Sequence, residues 1–217
     1  MDKGIKQVVI LLAHPDIKSS QANKALMDAV KEMEEVAIYN LYEMRPEDAY
    51  NIDLWSKIIS QAFPLYWMSA PSLLKKWQDE VFTYLAKTPA VAGKALLVTV
   101  TTGSEYSAYR SGGRNNFTMD ELLRPYQASA LHAGMVWQTP VVAYGMGTAD
   151  AGKNIAEGVN DYKLKIESLI GKSHVSGDWG YSNGNAHKIT EPSIIRLKFR
   201  MVLGCFSNRH IDFTCIL

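Results

Sequence analysis

Cysteine, net charge and long apolar runs are all scarce in this sequence, and each shortage excludes a class of protein. Only two of the 217 residues are cysteines, Cys205 and Cys215, and their spacing fits neither a disulfide framework nor a zinc site. The formal net charge is +1, so no basic surface field points to a nucleic-acid partner. No stretch reaches the ~18 uncharged apolar residues of a membrane span, and the first residues lack the features of a signal peptide. We therefore expect a soluble, cytoplasmic protein that binds neither metal nor nucleic acid.

The chain length fits one α/β domain with an appendage. We assign residues 1–170 to the domain and residues 171–217 to a C-terminal extension. In the extension, glycines and asparagines precede the amphiphilic run 194–206, which contains three cationic residues and is too short and charged to span a membrane. The extension is either a partner-binding segment or a loosely held tail.

Hydrophobic patterning predicts strands that alternate with helices, which is typical of βαβ units and a parallel sheet. Residues 6–13 are an almost unbroken apolar run, as expected of a strand buried on both faces. Ser20 is placed to cap a helix that runs to about Met33. The other predicted strands span residues 36–41, 57–63, 95–101 and 136–144, and the other helices span 71–86, 117–133 (interrupted near Pro125) and 150–169. Five such strands fit the order 2-1-3-4-5, whose switch point lies between strands 1 and 3.

Two features fit this sheet poorly. The connection 42–56 must cross strand 1, yet residues 51–57 leave room for only about two helical turns, where a parallel crossover usually needs a dozen or more residues. Strand 3 contains Gln61, which at a central position requires a buried hydrogen-bond partner.

Three loops follow strands 1, 3 and 4 and are predicted to meet at the switch point, where open α/β sheets bind ligands. The first contains His14 and the run 19–23, where backbone N–H groups and the helix dipole can bind a phosphate, although ordinary helix capping also explains it. The second, 63–71, carries two large aromatics that either hold a flat ligand or cap the core. The third, 101–104, contains a glycine that permits close approach of the backbone.

A fourth glycine-rich turn lies at residues 145–148. It follows the last strand, its spacing differs from a dinucleotide-binding fingerprint, and no acidic ribose-binding residue is placed near it. We interpret this turn as the start of a helix, capped by Thr148 or Asp150.

Four segments, in order, resemble the flavodoxin-like, FMN-dependent NAD(P)H dehydrogenases (quinone) of the bacterial type. They are LAHP…SSQAN, FPLYWMSAPSLLKKWQDEV, TTGS…AY…GG and ELLRPYQASALHAGM, and together they cover roughly residues 5–170. The resemblance implies a flavodoxin-like α/β fold with a five-stranded parallel sheet of order 2-1-3-4-5 and helices on both faces. It also implies FMN rather than FAD as the cofactor, NAD(P)H as co-substrate, and a homodimer.

The resemblance also assigns a role to each loop. The first loop is implied to hold the FMN phosphate, the second the isoalloxazine, and the third its N1–C2=O edge, where N–H donors would stabilise the reduced flavin. The implied cofactor-binding residues are His14, Ser20, Gln21, Ala22, Asn23, Leu65, Tyr66, Trp67, Met68, Thr101, Thr102, Gly103 and Ser104. Tyr109 is the implied catalytic residue, because it matches a tyrosine that hydrogen-bonds the flavin. Asn115 stands where the larger, animal-type enzymes often have a histidine.

The leading function is a hydride shuttle from NAD(P)H through FMN to a quinone-like acceptor, with ping-pong kinetics because both substrates use one site. One alternative is a regulatory ancillary flavoprotein of a potassium-efflux antiporter, with the extension as a docking element. Another is a degraded paralogue without flavin, because the family usually has longer segments at 42–56 and 84–93.

Overall fold

A parallel sheet forms the centre of the structure, a computed structural model that describes residues 7–45 and 51–173. Its strands are β1 (Val8–Leu12), β2 (Val36–Asn40), β3 (Ile58–Pro64), β4 (Ala95–Thr101), β5 (Val136–Trp137) and β6 (Val141–Ala143). They pair in the order β2-β1-β3-β4-β5, and β6 pairs with the second half of β4. Every pair is parallel, which confirms the predicted fold class and strand order.

Helices cover both faces of this sheet. They are α1 (Ala22–Asp28), α2 (Ile52–Trp55), α3 (Ser72–Trp77), α4 (Thr83–Leu85), α5 (Met119–Leu122), α6 (Arg124–His132) and α7 (Ala151–Ser173). A π-helical segment (Gln78–Phe82) joins α3 to α4. Helices α1 and α7 pack on one face, and the remaining helices pack on the other. None of these described helices has the length and apolar character needed to cross a membrane.

The last strand is broken in two, and the prediction of one continuous strand over residues 136–144 was wrong. β5 pairs with the start of β4, and the N–H of Gln138 then donates to the carbonyl oxygen of Leu96 (2.9 Å). Pro140 follows, and it interrupts the ladder because proline has no N–H to donate. Pairing resumes at Val141, opposite the second half of β4. The sheet therefore has six strands instead of the predicted five.

Gln61 has the buried partner that its position in β3 requires. Its side chain is buried, and its Oε1 accepts a hydrogen bond from Nε2 of Gln78 at 3.2 Å. Gln78 is the first residue of the π-helical segment. The expectation of a hydrogen-bonded glutamine at the centre of the sheet is confirmed.

The short crossover between β2 and β3 is anchored by a buried tryptophan. Its described part contains α2, a single turn capped by Asn51, which is within the predicted room for about two turns. Trp55 is fully buried, and its ring packs edge-on against the rings of Tyr39 (5.9 Å) and Trp77 (5.2 Å). Aromatic packing therefore supplies the attachment that a longer helix would otherwise give.

Helix α7 continues to Ser173, past the end predicted at residue 169. The rest of the predicted extension 171–217 lies outside the described residues, and its boundary and role remain predictions.

Candidate functional site

The three predicted loops meet in one cavity at the carboxyl edge of the sheet. Its volume is about 390 Å³, within the usual size of small-ligand pockets. The lining residues are His14, Ser19, Ser20, Gln21, Ala22, Asn23, Pro64, Leu65, Tyr66, Thr101, Thr102, Gly103, Met146 and Ile155. Ten of the thirteen cofactor-binding residues that the resemblance implied are among them, and the predicted meeting of the three loops is confirmed.

The first loop ends in the start of α1. Ser20 Oγ accepts a hydrogen bond from the N–H of Asn23 (3.1 Å), which is the contact expected of a capping serine. The turn before it is closed by Asp16, whose backbone oxygen accepts a hydrogen bond from Ser19 Oγ (3.0 Å). The first turn of a helix leaves N–H groups without intrahelical partners, and here that turn borders the cavity.

His14 lies just after the end of β1 and is almost fully buried. Its Nδ1 accepts a hydrogen bond from the N–H of Asp16 at 3.1 Å. Burial lowers the pKa of His14 below its ordinary value, even though the carboxylate of Asp16 acts in the opposite direction. The imidazole is therefore neutral at pH 7, and its proton is on Nε2 because Nδ1 is an acceptor. Such a ring can donate one hydrogen bond to an anion in the cavity.

Asn23 lines the cavity and has one buried oxygen without a partner among the described residues. Its Nδ2 donates to Thr101 Oγ1 at 2.9 Å, which ties α1 to the end of β4. Its Oδ1 is buried and has no hydrogen-bond partner among the described residues. An unsatisfied buried group costs about 1–3 kcal/mol.

The turn after β3 holds two bulky residues in the left-handed backbone region. The N–H of Tyr66 donates to the carbonyl oxygen of Ser69 (2.8 Å), and the reverse bond measures 3.0 Å. Between them, Trp67 has φ 48° and Met68 has φ 63°. This is a type I′ turn, which normally contains Asn-Gly because the left-handed region costs other residues about 1–2 kcal/mol each. Backbone strain of this kind is concentrated at ligand sites.

The same turn exposes its tryptophan side chain, and residues of β3 and α6 pack against its base. The Trp67 side chain is 98% exposed. The hydroxyl of Tyr126 on α6 accepts a hydrogen bond from the N–H of Ala70 (3.1 Å), and its ring packs on Phe63 (5.4 Å). In the described part of the chain, the N–H groups of Trp67 and Met68 have no acceptor. The turn therefore presents a flat apolar ring and two free donors.

A loop that was not predicted to belong to the site, residues 145–147, also contributes to the cavity wall through Met146. Backbone N–H groups of the loop after β6 donate to carbonyl oxygens of the loop after β4. The three bonds join Gly145 to Ser104 (2.8 Å), Met146 to Thr102 (2.8 Å) and Gly147 to Gly103 (2.9 Å). A Cβ atom added to Gly147 would lie 3.1 Å from the carbonyl oxygen of Gly103, so glycine permits this close approach.

Four lining residues were not among the predicted site residues, namely Ser19, Pro64, Met146 and Ile155, and the first two lie within the predicted loops. Met146 belongs to the turn that was interpreted only as the start of a helix, and Ile155 lies one turn into α7. Met146 could have been predicted from the pair of glycines, Gly145 and Gly147, directly after a strand, because such glycines indicate a close backbone contact as well as a turn.

Four predicted site residues are not among the lining residues. Trp67 and Met68 form the tip of the strained turn, and the hydroxyl of Ser104 accepts a hydrogen bond from the guanidinium of Arg114. Tyr109, the predicted catalytic residue, is buried, and its ring packs against Tyr144 (5.7 Å). Their roles remain predictions.

Comparison with known proteins gives the family. Residues 6–166 match a family model described as having a flavodoxin-like fold. The uncharacterised NAD(P)H oxidoreductase YrkL of Bacillus subtilis (strain 168) is 32% identical over 174 residues, which cover 74% of this chain and 99% of that protein. The glutathione-regulated potassium-efflux system ancillary protein KefG of Yersinia enterocolitica is 33% identical over 148 residues, which cover 64% of this chain and 80% of that protein.

Two solved structures share the fold. General stress protein 14 of Treponema denticola, crystallised with FMN, superposes with a TM-score of 0.67 at 27% identity and covers 75% of this chain and 99% of its own. An NADPH-quinone reductase from P. pentosaceus superposes with a TM-score of 0.64 at 30% identity, covering 73% and 96%. The sheet order, the cavity at the switch point and these relatives agree, and the chain belongs to the flavodoxin-like family of NAD(P)H oxidoreductases.

Proposed function

We propose that this oxidoreductase uses FMN to transfer a hydride from NAD(P)H to a quinone or a related acceptor. The strained turn at residues 66–69 carries this proposal, because it presents an exposed indole and free N–H groups beside the cavity. The FMN complex of general stress protein 14 and the name of the P. pentosaceus reductase support the choice of cofactor and acceptor.

The described residues suit the parts of FMN. The neutral imidazole of His14 and the free N–H groups at the start of α1 suit the phosphate. The hydroxyl hydrogen of Ser20 and the second N–H of the Asn23 amide have no acceptor among the described residues, and they suit the same phosphate. The donors of Trp67 and Met68 suit the polar edge of the isoalloxazine, whose face would pack beside the indole. When bound, FMN supplies the group that accepts a hydride from one substrate and gives it to the next.

The third loop adds donors for the N1–C2=O edge. The N–H of Thr102 is already used, since it donates to the carbonyl oxygen of Ala143 (2.9 Å). The N–H groups of Gly103 and Ser104 have no acceptor in the described part of the chain. Fixed donors of this kind stabilise negative charge without reorganisation, so we assign them to charge that develops at this edge.

Replacing Ser20 and Asn23 together with alanine tests the phosphate assignment. We expect FMN binding to weaken by about 1–3 kcal/mol, the usual effect of losing hydrogen bonds to a charged group. Riboflavin, which lacks the phosphate, is expected to bind both proteins alike. Fluorescence titration with the two flavins measures the difference, and an equal loss for both would contradict the assignment.

Tyr109→Phe tests the proposed role of the buried tyrosine. If its hydroxyl stabilises charge on the reduced flavin, the variant should be reduced more slowly by NAD(P)H, while FMN binding stays within a few-fold. A single neutral phenol should contribute less than the ~2.7–4 kcal/mol of an oxyanion-hole donor. Anaerobic stopped-flow absorbance gives the rate, and an unchanged rate would remove Tyr109 from the reaction.

The proposal includes three further properties. Donor and acceptor use the cavity in turn, so steady-state kinetics should be ping-pong. The protein is a homodimer, which light scattering after gel filtration would measure. It works in the cytoplasm, where NAD(P)H is available. A purified protein without flavin absorbance would contradict the proposal and favour a paralogue that has lost FMN.

A second candidate function is that of an ancillary subunit of a potassium-efflux antiporter. The similarity to KefG favours it. Reciprocal co-purification with a candidate antiporter, and potassium efflux from cells with and without this chain, would test it. An effect on efflux that persists in a variant without reductase activity would favour this role.

A further inference from the structure

The loop between β4 and α5, residues 104–116, carries two arginines without carboxylate partners. The guanidinium of Arg114 donates to the hydroxyl of Ser104. The Nη1 atom of Arg110 donates to the hydroxyl of Tyr106 (3.0 Å), and its guanidinium lies 5.2 Å from the centre of that ring. Neither arginine forms an ion pair with any described residue.

Lysines of the described helices show the opposite arrangement. Lysines on the helices are paired with carboxylates three or four residues away. These pairs are Lys24 and Lys31 with Asp28, Lys75 with Asp79, Lys76 with Glu80, Lys153 with Glu157, and Lys163 with Glu167. In the loop, the one carboxylate is that of Glu105, which accepts a hydrogen bond from Ser107 (3.4 Å). Positive charge is therefore left unneutralised on this loop.

Two glycines bring Arg114 back to the edge of the cavity. Gly112 has φ 78°, and a Cβ atom on Gly113 would lie 2.3 Å from the carbonyl oxygen of Ser107. The loop therefore folds tightly on itself, and Arg114 returns to Ser104. Ser104 directly follows Gly103, which lines the cavity. The guanidinium is thus held beside the cavity by the backbone fold of the loop.

We propose that Arg114 forms an anion subsite that binds phosphate groups of the nicotinamide dinucleotide, and that Arg110 adds positive charge to the same loop. The proposal rests on the proposed function, since it takes NAD(P)H as the donor. A guanidinium has five N–H donors in a fork that matches the geometry of phosphate. In each of these arginines one nitrogen donates to a side-chain hydroxyl, and the other N–H groups remain available. If the nicotinamide of a dinucleotide enters the cavity, its diphosphate lies at the edge of the cavity. In NADPH the 2′-phosphate also lies outside.

Arg110→Gln and Arg114→Gln test the subsite, with Lys163→Gln as a control that removes the same charge from an exposed ion pair on α7. The reductive half-reaction is followed by stopped flow with NADPH, NADH and 1-benzyl-1,4-dihydronicotinamide, which has no phosphate. We expect Arg114→Gln to raise the Kd of the dinucleotide about 10-fold, the effect of one charge-assisted hydrogen bond, and Arg110→Gln to raise it by a smaller factor through the loss of charge on the loop. The limiting rate should stay within about twofold, because the cavity is untouched.

Comparison of NADPH with NADH distinguishes the 2′-phosphate from the diphosphate as the bound group. A loss confined to NADPH assigns the arginines to the 2′-phosphate, and a loss shared by NADH assigns them to the diphosphate. An unchanged Kd for both dinucleotides, an equal change with the benzyl analogue, or an equal change in Lys163→Gln would overturn the proposal.

Flavin absorbance of the purified protein is recorded first, so failure of the proposed function is recognised separately. If no FMN is bound, calorimetric titration with ADP and 2′,5′-ADP replaces kinetics. Binding to the wild type that Arg114→Gln abolishes would support the subsite, and no binding of either nucleotide to the wild type would overturn it.

Discussion

Changing Trp67 to asparagine and Met68 to glycine is expected to raise the free energy of unfolding of the flavin-free protein by about 2 kcal/mol, since each left-handed residue costs about 1–2 kcal/mol. Asn-Gly is the favoured sequence of a type I′ turn, so the backbone bonds between Tyr66 and Ser69 should persist. FMN binding should weaken at least about tenfold, because the indole no longer packs beside the flavin. Urea denaturation and flavin titration measure the two effects.

The single change Met68→Gly is the matched control. It relieves one strained residue and keeps the indole, so we expect roughly half of the gain in stability, about 1 kcal/mol, with FMN affinity close to the wild-type value. An unchanged unfolding free energy in both variants would mean that the turn stores no strain. Unchanged FMN affinity in the double variant would remove Trp67 from the cofactor site.

Gly158→Leu is expected to lower the free energy of unfolding by about 3 kcal/mol and to reduce FMN content. A Cβ atom at Gly158 would lie 2.7 Å from Cβ of Ala143 on β6, so α7 approaches the sheet closely only because this residue is glycine. A leucine there must push α7 away from β6. Ile155, one turn earlier, would move with the helix and open the cavity that it lines.

Gly152→Leu is the control on the same helix. A Cβ atom at Gly152 would meet no heavy atom within 4 Å. The same substitution should therefore leave stability unchanged or raise it by up to about 0.8 kcal/mol through helix propensity. Thermal unfolding and flavin absorbance of the two variants decide the matter, and similar behaviour of both would contradict the close packing of α7 on β6.

The parts of the fold that the sequence predicted are those with strong local patterns. The apolar runs of β1 and β4 identify buried parallel strands, and Pro125 marks the break between α5 and α6. The cavity was predictable for a topological reason, since the loops after neighbouring parallel strands must meet at one edge. The ten lining residues that were named individually came from the family resemblance within those loops.

The features that were predicted wrongly or missed depend on tertiary contacts. The first helix was predicted to reach Met33, but α1 ends at Asp28, and turns such as the one closed by the bond from the N–H of Val30 to the carbonyl oxygen of Met27 (3.2 Å) lead to β2. The π-helical segment has no sequence signal of its own. It coincides with Gln78, which reaches Gln61 across the core, and only the folded sheet creates that requirement. Ile155 reaches the cavity through helix packing, which no local pattern reveals.

The backbone hydrogen bonds between the loops after β4 and β6 have a consequence for hydrogen exchange and for the entropy of ligand binding. Their N–H groups at residues 145–147 are already committed to carbonyl oxygens of residues 102–104. These amides should exchange slowly with deuterated solvent even in the flavin-free protein. By contrast, the unbonded amides of Trp67 and Met68 should exchange quickly until a ligand protects them. The wall formed by residues 102–104 and 145–147 is thus ordered before a ligand binds. The loss of conformational entropy on binding therefore falls mainly on the turn at residues 66–69.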